Sequence, residues 1–124
     1  MNTAKRWTVL GAMAGTLMTA VVQAFAAGAI ASGPGEKQYG YSYDHGDLQS
    51  AEMRALHECG DGCIVVLRYQ TGCGAHAVDR TPGSGISGLG LAKTKTAALD
   101  SAMWFCRSSG GRQCAIKAWS CNWR

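Results

Sequence analysis

The segment ALHECGDGC, residues 55–63, decides how this chain folds, because it sets two cysteines close together with a histidine just before them. His57, Cys59 and Cys63 could contribute to a zinc site, supply a thiol nucleophile, or hold a disulfide at the end of a helix. The spacing is not the Cys-x-x-Cys motif of thiol–disulfide oxidoreductases. Two observations distinguish these alternatives: whether the segment recurs, and which compartment the cysteines reach.

An internal repeat returns both cysteines of this segment but not its histidine. The pattern of residues 51–59 recurs in residues 98–106 at a constant offset of 47, and Trp104 stands where the first copy has His57. A repeat of this length indicates one supersecondary unit used twice, and the predicted halves span about residues 28–73 and 74–121. A metal or catalytic site would need the histidine, whereas a disulfide needs only the two sulfurs.

Each half carries the periodicities of two short strands, one helix and a further strand. Apolar residues recur at helical spacing in residues 48–59 and again in about residues 96–107. The runs CIVVLRY and CAIKAW that follow alternate as strands do, and Gly-rich turns before each helix predict hairpins. The predicted fold class is therefore α+β: two β-β-α-β repeats that form an antiparallel-rich sheet of about six strands, with two helices on one face and disulfides as staples.

The N-terminal residues 1–26 have the layout of a secretory signal peptide. Two basic residues precede an apolar run, and AFA at residues 24–26 supplies small residues at the spacing that signal peptidase requires. We expect cleavage after Ala26, with an uncleaved membrane anchor as the alternative. A single domain, residues 27–124, then remains in the periplasm or outside the cell, and its net charge falls from +4 to +2. This charge is too small to indicate a nucleic-acid or membrane partner.

Disulfides are the expected state of the six cysteines, since an even number in a small exported domain is typical of a disulfide framework. Alternation along the strands places Cys63 and Cys114 beneath the helices, whose last turns hold the cysteines that precede them. Within the repeats we therefore expect Cys59–Cys63 and Cys106–Cys114, and Cys73–Cys121 is left to tie the repeats together. With every cysteine paired, we expect no metal, no cofactor and no catalytic cysteine.

The histidines give little support for an enzyme. His76 takes the place that Ile30 holds in the first half, which predicts a half-buried strand residue, and His57 lies beside the apolar stripe of its helix. No Ser/His/Asp set and no pair of carboxylates stands out. We expect the protein not to be an enzyme, and a hydrolase that uses His76 or His57 is the third hypothesis for its function.

A candidate binding surface follows from the same strand alternation. Arg68, Lys117 and Trp119 are predicted on the sheet face opposite the helices, with Trp123 at the C-terminal end. Aromatic and arginine side chains on a partly apolar face are typical of protein interfaces. The alternative is that the hairpin segments or the N-terminal stretch cover this face.

The mature chain resembles the bacterial family known as the domain of unknown function 4189. The resemblance extends over roughly residues 28–121, and it rests on the GAIA opening, the A-x-x-x-A-L-x-x-C helix, the strand that begins at Cys63, the CGAHA segment and the second, A-x-x-x-A-x-x-x-C, helix. Met103 stands where the family usually has leucine, and His76 where it has a small or aliphatic residue. The resemblance implies a small exported protein without an assigned activity, and for some members a role as immunity proteins against antibacterial effectors.

The favoured function is therefore a disulfide-rich binding protein of the bacterial envelope. Its expected partner is another protein, bound in the manner of an immunity protein or inhibitor. The alternative is a peptidoglycan or glycan ligand that stacks on tyrosines and tryptophans, among them Tyr39, Tyr41 and Tyr43.

Overall fold

The elements follow the predicted order, two strands, a helix and a strand, twice over. The computed structural model describes residues 26–123 together with Gly11, Gly15 and Thr16, so most of the predicted signal peptide lies outside the described residues. The elements are β1 (Ala27–Ser32), β2 (Tyr39–His45), α1 (Leu48–Cys59), β3 (Ile64–Tyr69), β4 (Cys73–Asp79), β5 (Ser87–Ala92), α2 (Lys95–Ser108) and β6 (Cys114–Cys121). The α+β class, the six strands, the two helices and the repeat layout are confirmed for the described part of the chain.

The strands divide between two sheets rather than joining in the single sheet that the sequence predicts. One antiparallel sheet has the order β2-β1-β3 and the other β5-β4-β6. Helix α1 packs on the first sheet, α2 packs on the second, and the inner faces of the two sheets pack against each other. The helices therefore lie on opposite outer faces and not on one face. The central strands explain this arrangement, because β1 and β4 are buried on both sides and each sheet needs a cover on both.

Small residues bring each helix close to its sheet. Ala51 and Ala55 of α1 are fully buried against the alanines of β1. A Cβ added at Gly40 would lie 2.0 Å from the carbonyl oxygen of Ala55, so β2 tolerates only glycine at this point. The next inward residue of β2, Ser42, donates from its Oγ to the Ala51 carbonyl at 2.6 Å. The second half repeats this close contact between α2 and β5.

The inner faces of the sheets meet around Tyr69. Its ring lies over Gly28 of its own sheet and Gly74 of the other, where a Cβ would come within 2.6 Å and 2.7 Å of ring atoms. The Tyr69 hydroxyl hydrogen-bonds Ser120 Oγ, which also donates to the Ser42 carbonyl at 3.1 Å. Burial raises the pKa of Tyr69 to about 12 despite the hydrogen bond with Ser120. The ring and its hydroxyl thus join the two halves.

The structure contains disulfides Cys59–Cys63, Cys106–Cys114 and Cys73–Cys121, the same pairs that the sequence predicts. The first two connect the end of each helix to the strand after it. The expectation that Cys73–Cys121 ties the repeats together is wrong, because Cys73 is the first residue of β4 and pairs directly with Cys121 of β6. This disulfide closes the second sheet, and packing between the sheets holds the halves together.

Candidate functional site

Two β-bulges determine which side chains share a face, and both lie in the strands that carry the predicted binding surface. Val66 is the extra residue of β3 opposite the Ile30/Ala31 step, and Lys117 is the extra residue of β6 opposite the His76/Ala77 step. A bulge shifts the alternation by one residue. Side chains after each bulge therefore point to the face opposite the one that simple alternation predicts.

Arg68 consequently does not belong to the surface predicted for it. It lies after the bulge, on the α1 side of its sheet, where its Nε is 3.2 Å from Glu52 Oε1 of the helix. Trp119 is likewise turned toward α2, where Lys95 Nζ lies 3.9 Å from the centre of its ring. The predicted four-residue face is wrong in this respect. The structure separates Arg68 from Lys117, Trp119 and Trp123, which it brings together.

These three residues line a groove with the tyrosines of β2, which we call the aromatic groove. It has a volume of about 490 Å³ and lies along β6. Its aromatic side chains are exposed to 40, 45 and 49 % for the tyrosines and 72 % for Trp123. The lining residues are Tyr39, Tyr41, Tyr43, Ile116, Lys117, Ala118, Trp119, Ser120, Cys121 and Trp123.

The tyrosines form a row because of the alternation in YGYSYDH. Gly40 and Ser42 face α1, so the three tyrosines all face the opposite side of β2. At the end of the strand Asp44 has a positive φ of 55° and accepts from the Trp123 amide through its Oδ1 at 2.8 Å. The Asp44 amide in turn donates to Asn122 Oδ1 at 2.9 Å. The C-terminal segment, and with it Trp123, is thereby fixed at the end of the tyrosine row.

Lys117 supplies the charge of the groove. Its Nζ donates to Ser32 Oγ at 2.7 Å and to the Gly33 carbonyl at 2.8 Å, which connects β6 to the turn after β1. Burial lowers the pKa of Lys117 from its ordinary value. Lys117 is the only charged residue among the described residues that line the groove. The site is thus an aromatic surface with one positive charge near one end.

His76 lies between the sheets, beside a separate cavity of about 440 Å³ that Lys117 also lines. The side chain is buried, and its Nδ1 makes no hydrogen bond to any described residue. Burial, together with the charge of Lys117, lowers the pKa of His76 to about 4. The imidazole is therefore neutral at physiological pH, and no serine or carboxylate of the described chain orients it through Nδ1.

Asp79 borders the same cavity, but its carboxylate is already hydrogen-bonded to the loop that follows it and to the residue just before β6. Its Oδ1 accepts from the Gln113 amide at 2.9 Å and from Thr81 Oγ1 at 2.9 Å. Burial alone would raise the pKa of Asp79, but these hydrogen bonds and those with Ser84 and the Thr81 amide lower it to about 2. Asp79 is thus a structural carboxylate that connects the end of β4 to the start of β6.

The other candidates for chemistry remain apart. His57 is exposed on α1 and His45 ends β2. Within the part of the chain that the structure describes, no three histidine, cysteine, aspartate or glutamate side chains are grouped as metal ligands would be. The helices of that part are also too short or too polar to cross a membrane.

The groove itself could not be found from the sequence, although its components are visible there. The alternating YGYSY pattern predicts a row of tyrosines on one side of a strand. Its position beside β6, more than 70 residues further along, depends on the packing of the two sheets. The sequence carries no signal for that proximity beyond the repeat.

The fold and its bridges define a class: a small α+β domain in a helix–sheet–sheet–helix arrangement, held by three disulfides that are typical of an oxidising compartment outside the cytoplasm. The chain belongs to the family described as domain of unknown function (DUF4189), whose model matches residues 27–121. No curated protein and no solved structure matches the chain.

Proposed function

We propose that this protein is exported to the bacterial envelope and binds another protein there through the aromatic groove, as an inhibitor or immunity protein and not as an enzyme. The observation that carries the proposal is the groove itself. Three tyrosines from β2 lie beside Trp123 and β6, with about half of each tyrosine exposed. Tyrosine and tryptophan combine a large apolar area with a polar group, and they are enriched among the residues that contribute most to binding.

Rigidity supports the same function. The Cys73–Cys121 bridge holds β6 to β4, and the hydrogen bonds of Asp44 fix Trp123 at the end of the groove. A surface already ordered in the free protein loses little conformational entropy on association. The groove is thus suited to bind a partner without rearrangement.

Photo-crosslinking in the envelope tests the proposal. A benzophenone amino acid at Tyr41, in the middle of the groove, should capture a specific protein partner. The same group at Ile64, which is 68 % exposed on β3 and outside the groove, is the matched control. Equal capture from both positions, or no protein adduct at Tyr41, would contradict a protein-binding groove.

A glycan is the second candidate ligand, because of the spacing of the tyrosine row. Residues that alternate along a strand are about 6.6–6.8 Å apart, so Tyr39, Tyr41 and Tyr43 present successive rings for stacking on sugar rings. Sedimentation with insoluble peptidoglycan tests this candidate. If the groove binds glycan, the wild-type protein should cosediment with peptidoglycan and the Tyr41→Ala variant should not.

A further inference from the structure

We infer that the aromatic groove binds an extended polypeptide segment of the partner, which adds to β6 as a further strand and places an acidic side chain near Lys117. This inference rests on the proposed protein-binding function and names the form of the ligand. It follows from three features of the groove: a free strand edge, aromatic walls on both sides of that edge, and one positive charge.

The free edge is that of β6, which among the described strands pairs only with β4. The Cα atoms of Cys73 and Cys121 are 4.0 Å apart, a separation typical of a pair that does not exchange backbone hydrogen bonds. Ala75 and Trp119 are two residues further along the same regular register and form a pair of the same kind. The amide and carbonyl groups of Trp119 and Cys121 therefore point away from β4, toward the outer edge.

The aromatic side chains lie on both sides of this edge. The tyrosine row comes from β2, which packs over the inner side of β6, while Trp119 is turned to the outer side, toward α2. A strand added at the usual distance of about 4.8 Å would lie between them, with its side chains directed alternately to the tyrosines and to Trp119. The bulge at Lys117 interrupts the regular edge, so the added strand pairs mainly with residues 118–121.

Free edges are commonly protected by charges, bulges or coverage. β6 has a bulge and a lysine at position 117, but the four residues after it are Ala, Trp, Ser and Cys. These four residues carry no charge themselves, and the edge is open to the groove, while Lys95 of α2 lies over the Trp119 ring on the outer side. Strand addition uses an exposed sheet edge together with contacts for alternate side chains of the ligand. The aromatic rings beside β6 can supply those contacts.

The positive charge of Lys117 is the reason to expect an acidic residue in the ligand. The Lys117 ammonium has three donors, and two of them are used by Ser32 Oγ and the Gly33 carbonyl. A carboxylate of the ligand can accept the third. A glycan could stack on the tyrosines, but it has no regular series of amides and carbonyls to match the β6 edge, and this favours a polypeptide.

The test compares two substitutions that remove the same ring. Trp119→Ala leaves the outward amide in place, whereas Trp119→Pro removes it, and proline is tolerated where an edge amide faces outward. The matched control is Arg68, which pairs with Ala29 in β3 as Trp119 pairs with Ala75 in β6. Arg68→Ala and Arg68→Pro make the same backbone change on an edge outside the groove. Thermal unfolding of each variant checks that it folds.

The probes are decapeptides selected from a phage-displayed random library against the purified, disulfide-bonded protein. We expect acidic, alternating sequences whose affinity falls at least about tenfold further in Trp119→Pro than in Trp119→Ala, whereas the two Arg68 variants bind alike. Replacing the peptide's acidic residue by its amide should weaken binding severalfold. Two further peptides are N-methylated, one at the odd-numbered and the other at the even-numbered residues. On wild-type protein one of them should lose binding and the other keep it, because only alternate amides of the added strand face β6. This result does not depend on the folding of a variant.

The contrary outcomes separate the inference from the function on which it rests. Strand addition is refuted, and protein binding stands, if peptides bind but the two N-methylated peptides have equal affinity. Equal peptide affinity of Trp119→Ala and Trp119→Pro would refute it as well. The same holds if a protein crosslinks at Tyr41 but no decapeptide is selected. If chitotetraose binds and no peptide or protein does, both proposals fail. A dimer of the free protein that Trp119→Pro dissociates would assign the edge to a second copy and overturn the inference.

Discussion

Replacing Gly40 by alanine should destabilise the protein, because this glycine sets the distance between β2 and α1. An added Cβ would lie 2.0 Å from the Ala55 carbonyl oxygen and 2.6 Å from the Cys59 amide nitrogen. Both are backbone atoms of the helix, so no change of rotamer can relieve the overlap and α1 must move. Overpacking of this kind costs about 1–3 kcal/mol, and we expect the upper part of that range because the obstruction is main chain.

The measurement is thermal and urea unfolding of Gly40→Ala beside a glycine with open surroundings. At Gly46, one residue after β2, an added Cβ meets no described atom within 4 Å, and its φ is not in the left-handed region. Alanine there reduces the entropy of the unfolded chain and should be neutral or stabilise by up to about 1 kcal/mol. Since 1 kcal/mol corresponds to about 4–8 °C in a domain of this size, Gly40→Ala should unfold at least about 8 °C below Gly46→Ala.

Equal melting temperatures for the two variants would refute the reasoning. Gly88 is the corresponding residue of the second half, where a Cβ would lie 2.2 Å from the Ala102 carbonyl oxygen. A melting temperature of Gly88→Ala equal to that of Gly46→Ala would refute the reasoning for that half. The two helices would then not be in contact with their strands through main-chain atoms, and the close helix–sheet packing would be wrong.

Three further predictions concern the disulfides and the buried polar groups. Replacing Cys73 and Cys121 by serine should cost about 4 kcal/mol in urea unfolding and removal of the Cys59–Cys63 bridge about 2 kcal/mol, because the first closes a far longer loop; equal losses would contradict this order. The lowered pKa of His76, about 4, means that the unfolded chain takes up this proton first as the pH falls, so stability should decrease between pH about 6.5 and about 4. His76→Ile, which introduces the residue of the first half, should remove that decrease in pH-dependent unfolding, and an unchanged profile would assign it to other groups. The pKa of Asp79, lowered to about 2, acts in the same direction at lower pH: its stabilisation is present above pH about 4 and is lost as the pH falls through about 2. Asp79→Asn should flatten the acid limb of the unfolding curve, and an acid limb that matches the wild type would show that the carboxylate is not held as described.

Local patterns predicted the elements of this fold well, because they depend on contacts close in sequence. The helical stripe that ends at Cys59 and the two glycine turns each specify their structure without reference to the rest of the chain. The repeat then supported the pairing of cysteines, since each half had to hold an equivalent bridge. These are the features that a sequence expresses residue by residue.

Face assignments failed where the strand itself is irregular. Strict alternation put Arg68 and Trp119 opposite the helices, but the bulges at Val66 and Lys117 turned both toward them. A bulge has no residue-type signature here, since valine and lysine occupy the two equivalent positions. The division into two sheets was equally hidden, because it depends on which faces of β1 and β4 pack together and not on either strand alone.

The duplicated halves could not remain identical where they meet. Tyr69 pairs with Gly28 in the first sheet and Ser120 pairs with Gly74 in the second, so the two are equivalent residues, and they contact each other across the interface. The Tyr69 ring already covers both glycines. A second tyrosine at position 120 would require the same space, and one half must therefore supply the large residue and the other a small one.

The two halves also differ in the side chains that line the grooves on either side of their interface. The depression beside β3 and β5, which corresponds to the aromatic groove, is lined by Leu91, Arg68 and the buried Tyr69. In the aromatic groove, Tyr41 and Tyr43 stand where β5 has Leu89 and Leu91. Trp119 stands where β3 has Arg68. The scaffold thus offers two related strand edges, and the side chains have diverged so that one of them is aromatic. If the β3 edge bound ligands as well as the β6 edge, the fold alone, and not the divergence of side chains, would account for binding. The comparison of Arg68 variants with Trp119 variants distinguishes these two explanations.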